Sequence, residues 1–166
     1  MKPYLTLFVG VLAVSFAAIF IRLADAPPLV IAAYRLTIAS VILIPLAPIK
    51  SVKDLRQLSR HDMFLILLSV VFIALHFGLW ITSLSYTSIA SSVVLVTSHP
   101  VFVAVASYLL WGERLNKLTI GGIVIALSGV ILINYGGFTF GSRAIRGDLL
   151  ALVAGFSMGA YLLIGG

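Results

Sequence analysis

Residues 88–110 form a run of 23 residues without a formal charge. A helix of this length, rising about 1.5 Å per residue, crosses the roughly 30 Å hydrocarbon core of a bilayer. Other apolar segments of similar length lie on both sides of it. Only 10% of the 166 residues are charged, whereas a soluble domain carries about 25%. The sequence therefore predicts an integral membrane protein.

The apolar segments predict an all-α fold, a polytopic bundle of transmembrane helices. Polar residues separate six segments, with predicted bounds 4–21, 28–49, 63–84, 88–110, 118–135 and 148–166. The first is interpreted as an uncleaved helix, because further spans follow it at once. Residues 1–135 are then predicted to form a five-helix repeat, 136–147 a glycine-rich loop, and 148–166 the first helix of a truncated second repeat.

The basic residues are distributed unevenly between the loops. Seven fall in loops assigned to one side of the membrane and three in loops assigned to the other. The seven are Lys2, Lys50, Lys53, Arg56, Arg60, Arg114 and Lys117, and the three are Arg22, Arg143 and Arg146. The positive-inside rule predicts a cytoplasmic N-terminus. The net charge of +6 is thus interpreted as a topology signal and not as a nucleic-acid surface.

Pro100 interrupts the fourth segment. It has no N–H, so the carbonyl of Val96 loses its helical partner. An unpaired carbonyl in hydrocarbon costs several kcal/mol, so the break is predicted to lie beside protein or a cavity. The alternative is a packing kink whose gap is closed by Thr97 or Ser98.

The same segment carries a family resemblance. Its motifs are Tyr86-Thr87-Ser88, the small residues Ala90 to Ser92, Pro100, and Gly112-Glu113-Arg114-Leu115. Together they resemble the fourth helix of EamA-type members of the drug/metabolite transporter superfamily. The resemblance extends to Arg35 in the second segment and to Gly121, Gly122 and Gly129 in the fifth.

This resemblance implies two five-helix halves that are inverted relative to each other, of which the chain is one half plus one helix. Its partners would be the lipid bilayer, a small-molecule substrate, and a second repeat or a second copy of the chain. EamA-type relatives move amino acids, nucleotide-like metabolites and drugs, most often outward across the bacterial inner membrane. No GxxxxGK[ST] motif is present, so alternating access would be driven by a gradient. Neither an enzyme, a metal site nor a cofactor is predicted.

Arg35 is the most unusual residue within a predicted span. It lies seven residues past Pro28, about 10 Å into the membrane. One interpretation has it facing the bundle interior and pairing with backbone carbonyls or with a carboxylate or phosphate of the substrate. In the other, its long side chain extends to the membrane surface.

Two histidines are predicted to lie at one depth. His76 is twelve residues before Ser88 and His99 is eleven after it, so antiparallel third and fourth helices bring both near the bilayer centre. Polar and aromatic residues at helical spacing extend both positions into facing stripes, typical of an amphipathic solute site. The predicted substrate-binding residues are Arg35, His76, Trp80, Ser83, Ser92, His99 and Phe102, beside the helix break at Pro100.

The histidines have other possible uses. They could be neutral packing groups, or they could handle protons, since imidazole titrates near neutral pH. They could also be axial haem ligands, which would make the chain a non-transporting redox subunit. Gly155 and Gly159 likewise form a GxxxG pattern, which favours either a dimer or sliding surface, or a close helix contact inside the fold.

Overall fold

The computed structural model describes residues 2–46, 58–112, 116–135 and 142–165. Within these ranges the chain forms seven α-helices and a short 3₁₀ helix, Ile44–Leu46, that extends the second of them. The helices are α1 (Lys2–Leu23), α2 (Pro28–Leu43), α3 (Arg60–Ser83), α4 (Ile89–Val96), α5 (His99–Trp111), α6 (Lys117–Tyr135) and α7 (Ser142–Gly165).

Five stretches in this part of the chain are long and apolar enough to cross a membrane. They are Tyr4–Leu23, Pro28–Leu46, Arg60–Ser83, Ile89–Trp111 and Ser142–Gly165. The fifth predicted segment is helical as α6, although its described apolar stretch, Lys117–Gly129, is shorter. The predicted all-α polytopic bundle is confirmed.

Helix boundaries follow local capping. The Ser59 hydroxyl accepts the Asp62 N–H at 3.1 Å, and the Asp62 carboxylate accepts the Ser59 N–H at 3.0 Å. This reciprocal capping box satisfies backbone donors that the helix leaves unpaired. It starts α3 at Arg60, before the predicted residue 63. At the C-terminal end of the fourth span, Gly112 adopts a positive φ of 65° and ends α5.

The predicted fourth span consists of two helices, α4 and α5, separated by Thr97 and Ser98. The Thr97 hydroxyl donates to the Val93 carbonyl at 2.8 Å, and the Ser98 hydroxyl donates to the Leu95 carbonyl at 2.7 Å. Pro100 lies in the first turn of α5, where a missing N–H removes no internal hydrogen bond. The predicted break is therefore present, but the hydroxyls of Thr97 and Ser98 do not bond the Val96 carbonyl as the packing-kink alternative expected.

Helix α7 begins earlier than predicted. Residues 142–147, predicted as a loop, are helical. Hydropathy marks only the apolar part of a helix, whereas the first turns of α7 are polar and are held by side-chain bonds to residues 84–88, hereafter the α3–α4 turn. Arg143 donates to the Ser85 carbonyl at 3.3 Å, and Asp148 accepts the Thr87 hydroxyl at 2.7 Å.

Helix α7 is also the best-buried span. It packs against α3, α4 and α5 through small residues at four-residue intervals, which are Gly147, Ala151, Gly155 and Gly159. A Cβ at Gly147 would lie 2.7 Å from the Thr87 nitrogen, and one at Gly155 would lie 3.0 Å from the Val96 carbonyl oxygen. The GxxxG pattern is thus used in a helix contact within the chain, and the α4–α5 break lies against protein.

Helix α1 is attached mainly through its last turns. Ala18 and Ile21 are buried in the hydrophobic cluster of the bundle. Earlier residues are largely exposed, including Tyr4, Leu7 and Val14 at 78%, 65% and 68%. The first half of α1 therefore stands away from the other helices and leaves a cavity behind it.

Candidate functional site

A cavity of about 1050 Å³ lies between α1 and the helices α3, α4 and α5, and we call it the central cavity. Most of its lining is aliphatic or aromatic. The polar side chains that line it are Thr6, Ser15, Arg35, His76, Thr97 and His99, together with Trp80. An apolar cleft with a few polar groups suits an amphipathic small molecule.

Arg35 contributes the charged group of the central cavity. Its guanidinium carbon lies 5.2 Å from the ring centre of Phe77 and 5.6 Å from that of Trp80. Such cation–π contacts contribute about 0.5–2 kcal/mol each. Among the described residues no carboxylate forms an ion pair with it, and the Trp80 indole N–H, which is buried, has no acceptor there. The guanidinium thus faces α3 within the bundle.

Both histidines line the central cavity, and each is anchored to a backbone carbonyl. The Nδ1 atom of His76 lies 2.9 Å from the Ala154 oxygen, and that of His99 lies 3.3 Å from the Val96 oxygen. A carbonyl can only accept, so Nδ1 is the donor in each ring and Nε2 is its other nitrogen. His99 thereby supplies a partner for the Val96 carbonyl at the end of α4. These bonds fix the orientation of both rings.

The ring of His76 also belongs to an aromatic cluster on α3. It stacks on Trp80 with centroids 6.1 Å apart and meets Phe77 edge-on at 5.0 Å. Arg35 of α2 lies over the rings of Phe77 and Trp80. The guanidinium, the imidazole of His76 and the two aromatic rings therefore form one cluster between α2 and α3. Sequence spacing indicated His76 and Trp80 but gave no reason to select Phe77.

Ser83, Ser92 and Phe102 lie outside the lining of the central cavity. Ser83 and Ser92 are 0% exposed, and their hydroxyl oxygens lie 2.6 Å apart. Phe102 packs edge-on against Phe156 of α7 at 5.8 Å. For Ser92 and Phe102 the break between α4 and α5 explains the difference, because residues on its two sides do not share one straight helical face, whereas the Ser83 hydroxyl bonds Ser92 and the Trp80 carbonyl. These three residues are left out of the candidate site.

The sequence analysis also missed one wall of the cavity. Helix α1 contributes Thr6, Leu7, Gly10, Val11, Val14, Ser15 and Ala18. Their spacing follows one face of a helix, and the small or polar Thr6, Gly10 and Ser15 on it were the available signal.

A second polar group missed by the sequence analysis lies at the α3–α4 turn. One oxygen of Asp148 accepts the hydroxyls of Thr87 and Ser91, both at 2.7 Å. The Thr87 carbonyl in turn accepts a hydrogen bond from the guanidinium of Arg22 in α1 at 3.1 Å. Thr87 and Ser91 are buried. The α3–α4 turn is therefore bonded to α7 on one side and to α1 on the other.

Membrane-length helices around a largely apolar cavity with a few polar groups are the architecture of polytopic membrane transporters. The model of the EamA-like transporter family matches residues 1–135. The chain belongs to this family, which confirms the resemblance found in the sequence, and it is an integral membrane protein.

The curated relatives are uncharacterized transporters. One from Archaeoglobus fulgidus is 30% identical over 157 residues, covering 91% of this chain and 52% of that protein. One from Bacillus subtilis is 30% identical over 130 residues, covering 78% and 42% respectively. The chain thus spans about half the length of the curated relatives that it matches. No solved structure matches it significantly.

Proposed function

We propose that the chain forms half of a transporter that moves a small, anionic, amphipathic metabolite by alternating access. The central cavity is the proposed solute site. The observation that carries the proposal is the Arg35 guanidinium, which lies in this cavity with aromatic contacts and without a described carboxylate partner. A cation within a membrane span is energetically costly, and such residues commonly mark a solute or proton path.

The chemistry of the lining supports an anionic solute. A guanidinium presents its N–H groups in a planar fork that matches a carboxylate or a phosphate. The contacts with the rings of Phe77 and Trp80 are cation–π contacts, which leave N–H groups of the guanidinium to bind an anion. The aliphatic side chains of α1, such as Val11 and Val14, line the opposite wall and would contact the apolar part of the solute.

The direction of transport and its energy source follow from the resemblance. We propose efflux across a bacterial inner membrane, driven by an ion gradient or by the solute's own gradient. The remaining wall of the cavity would come from the second five-helix repeat or from a second copy of the chain. The exposed first half of α1 is the surface that such a partner would cover.

Anion selectivity tests the proposed function. Counterflow in proteoliposomes containing the protein should be faster for L-phenylalanine and phenyl phosphate than for L-phenylalaninamide, which lacks the carboxylate. Because the amide cannot form the charge-assisted bidentate contact, its counterflow should be slower by at least about tenfold. Liposomes without protein give the passive background. Equal rates for the acid and its amide would contradict an anion site at Arg35.

Membrane orientation provides a second test. A reporter fused within residues 50–60 should register as cytoplasmic, and one within residues 136–141 as external, because the basic residues are biased towards the former side. Arg22 and Arg143 both donate to carbonyls of the α3–α4 turn, which supports assigning these two arginines to one side. The reverse reporter pattern would contradict both the orientation and efflux.

A further inference from the structure

A second, smaller cavity lies at the end of the bundle where α1 meets α2. It measures about 410 Å³ and is bordered by polar side chains of Arg22, Asp25 and Ser85. Apolar lining comes from residues that include Ile21, Ile81 and Leu84. We call it the vestibule.

The vestibule and the central cavity are neighbours along both α1 and α3. On α1, Ala18 lines the central cavity and Ile21 lines the vestibule. On α3, Trp80 lines the central cavity whereas Ile81 lines the vestibule. Ala18 and Ile21 are about 4.5 Å apart along the helix axis, and Trp80 and Ile81 are adjacent on different faces of α3, so only side chains separate the two spaces.

That layer is tightly packed and apolar. Ile21, Ile81 and Leu84 are 8%, 1% and 2% exposed and belong to one hydrophobic cluster. An apolar constriction of this kind excludes water and polar solutes without a covalent or ionic barrier. It can open only if the α1 side moves away from the α3 side.

A hydrogen bond ties the α1 side in place. Arg22 lies one residue after Ile21 and donates to the Thr87 carbonyl at 3.1 Å. Thr87 is itself fixed by Asp148 at 2.7 Å and by the close approach of Gly147. Since the first half of α1 is largely exposed, the end that carries Arg22 is where this helix is held to the bundle.

We propose that Ile21, Ile81 and Leu84 form a closed gate between the central cavity and the vestibule, and that the bond from Arg22 to Thr87 holds this gate shut. Asp148 acts as a positioning residue for Thr87. The gate rests on the proposed transport function, because it makes the two cavities consecutive sections of one solute path.

Accessibility of a cysteine in the central cavity tests the gate without any solute. The sequence contains no cysteine. Val93 lines the central cavity, so Val93→Cys introduces a single thiol there. A membrane-impermeant maleimide is applied to right-side-out cells and to inverted vesicles. With the gate shut, Val93→Cys should react from one side of the membrane only.

Removing the tie should open the second side. In Val93→Cys with Arg22→Gln, labelling from the previously protected side should become about fivefold faster, the factor expected when one hydrogen bond of typical strength is lost. Arg143→Gln is the matched control, because Arg143 also donates to a carbonyl of the α3–α4 turn, at 3.3 Å, but from α7. It should leave labelling unchanged. Ile81→Ala, which thins the gate itself, should act like Arg22→Gln.

Unchanged labelling in both Arg22→Gln and Ile81→Ala would overturn the gate. Equal acceleration by Arg22→Gln and Arg143→Gln would also overturn it, since that result indicates general loosening of the turn. Labelling measures access and needs no transported solute. Failed counterflow with the expected labelling would therefore contradict only the proposed solute. Counterflow as expected with unchanged labelling would contradict only the proposed gate.

Discussion

Replacing Arg35 with leucine should reduce transport of an anionic solute to background. The substitution removes the charged group in the central cavity that can bind a carboxylate or a phosphate. Arg35→Lys should retain some transport but lose about tenfold or more, because an ammonium keeps the charge without the planar fork and does not stack as a guanidinium does on Phe77 and Trp80. Initial counterflow rates in proteoliposomes, at equal protein content, measure both effects.

The control for Arg35 is another arginine with a similar aromatic contact. Arg143 lies over Tyr86 with 5.8 Å from its guanidinium carbon to the ring centre, but it is not among the residues that line the central cavity. Arg143→Leu should therefore leave the selectivity for the anion over its amide intact. If Arg35→Leu transported as well as the parent, the cation would have no role in solute binding and the anion proposal would fail.

Gly147→Ala should lower the unfolding temperature of the bundle substantially, although it adds only one methyl group. The added Cβ would lie 2.7 Å from the Thr87 nitrogen and 2.9 Å from the Tyr86 Cβ. The first contact is backbone and cannot rotate away, so α7 must shift from the α3–α4 turn. Overpacking of this kind costs about 1–3 kcal/mol, and here the shift also strains the bond between Asp148 and Thr87. Thermal unfolding in detergent measures the loss.

Gly121 in α6 provides the matched control. A Cβ at Gly121 meets no atom within 4 Å. Gly121→Ala should therefore be neutral or stabilise by up to about 1 kcal/mol, because alanine favours the helix over glycine. Equal unfolding temperatures for Gly147→Ala and Gly121→Ala would contradict the close contact between α7 and the α3–α4 turn.

The fold and part of the candidate site were predictable from the sequence because both depend on properties of single segments. Apolar length predicts the spanning helices, and the missing N–H of Pro100 predicts the break. Counting residues outward from Ser88 places His76 and His99 at one depth, and both line the central cavity. Arg35 was a candidate simply because a charge within a span is rare.

The rest depends on contacts between helices, which helical spacing alone does not determine. Ser83 and Ser92 bond to each other, so neither hydroxyl faces the cavity. Phe102 follows the break and turns towards α7. Asp148 was interpreted only as the beginning of an apolar segment, because its partners, Thr87 and Ser91, lie 61 and 57 residues away in the chain. Such long-range pairs are visible only once the helices are packed.

The position of α7 has a consequence for how the protein is made. Membrane helices leave the ribosome in order, so the buried hydroxyls of Thr87 and Ser91 have no Asp148 to accept them until Ser142–Gly165 has been synthesised. The helices that precede α7 therefore complete their packing only after α7 has been inserted. Exchanging segments between related genes at residues 136–141 would separate Asp148 from Thr87 and Ser91, so the chain before this point is not an independent module for recombination.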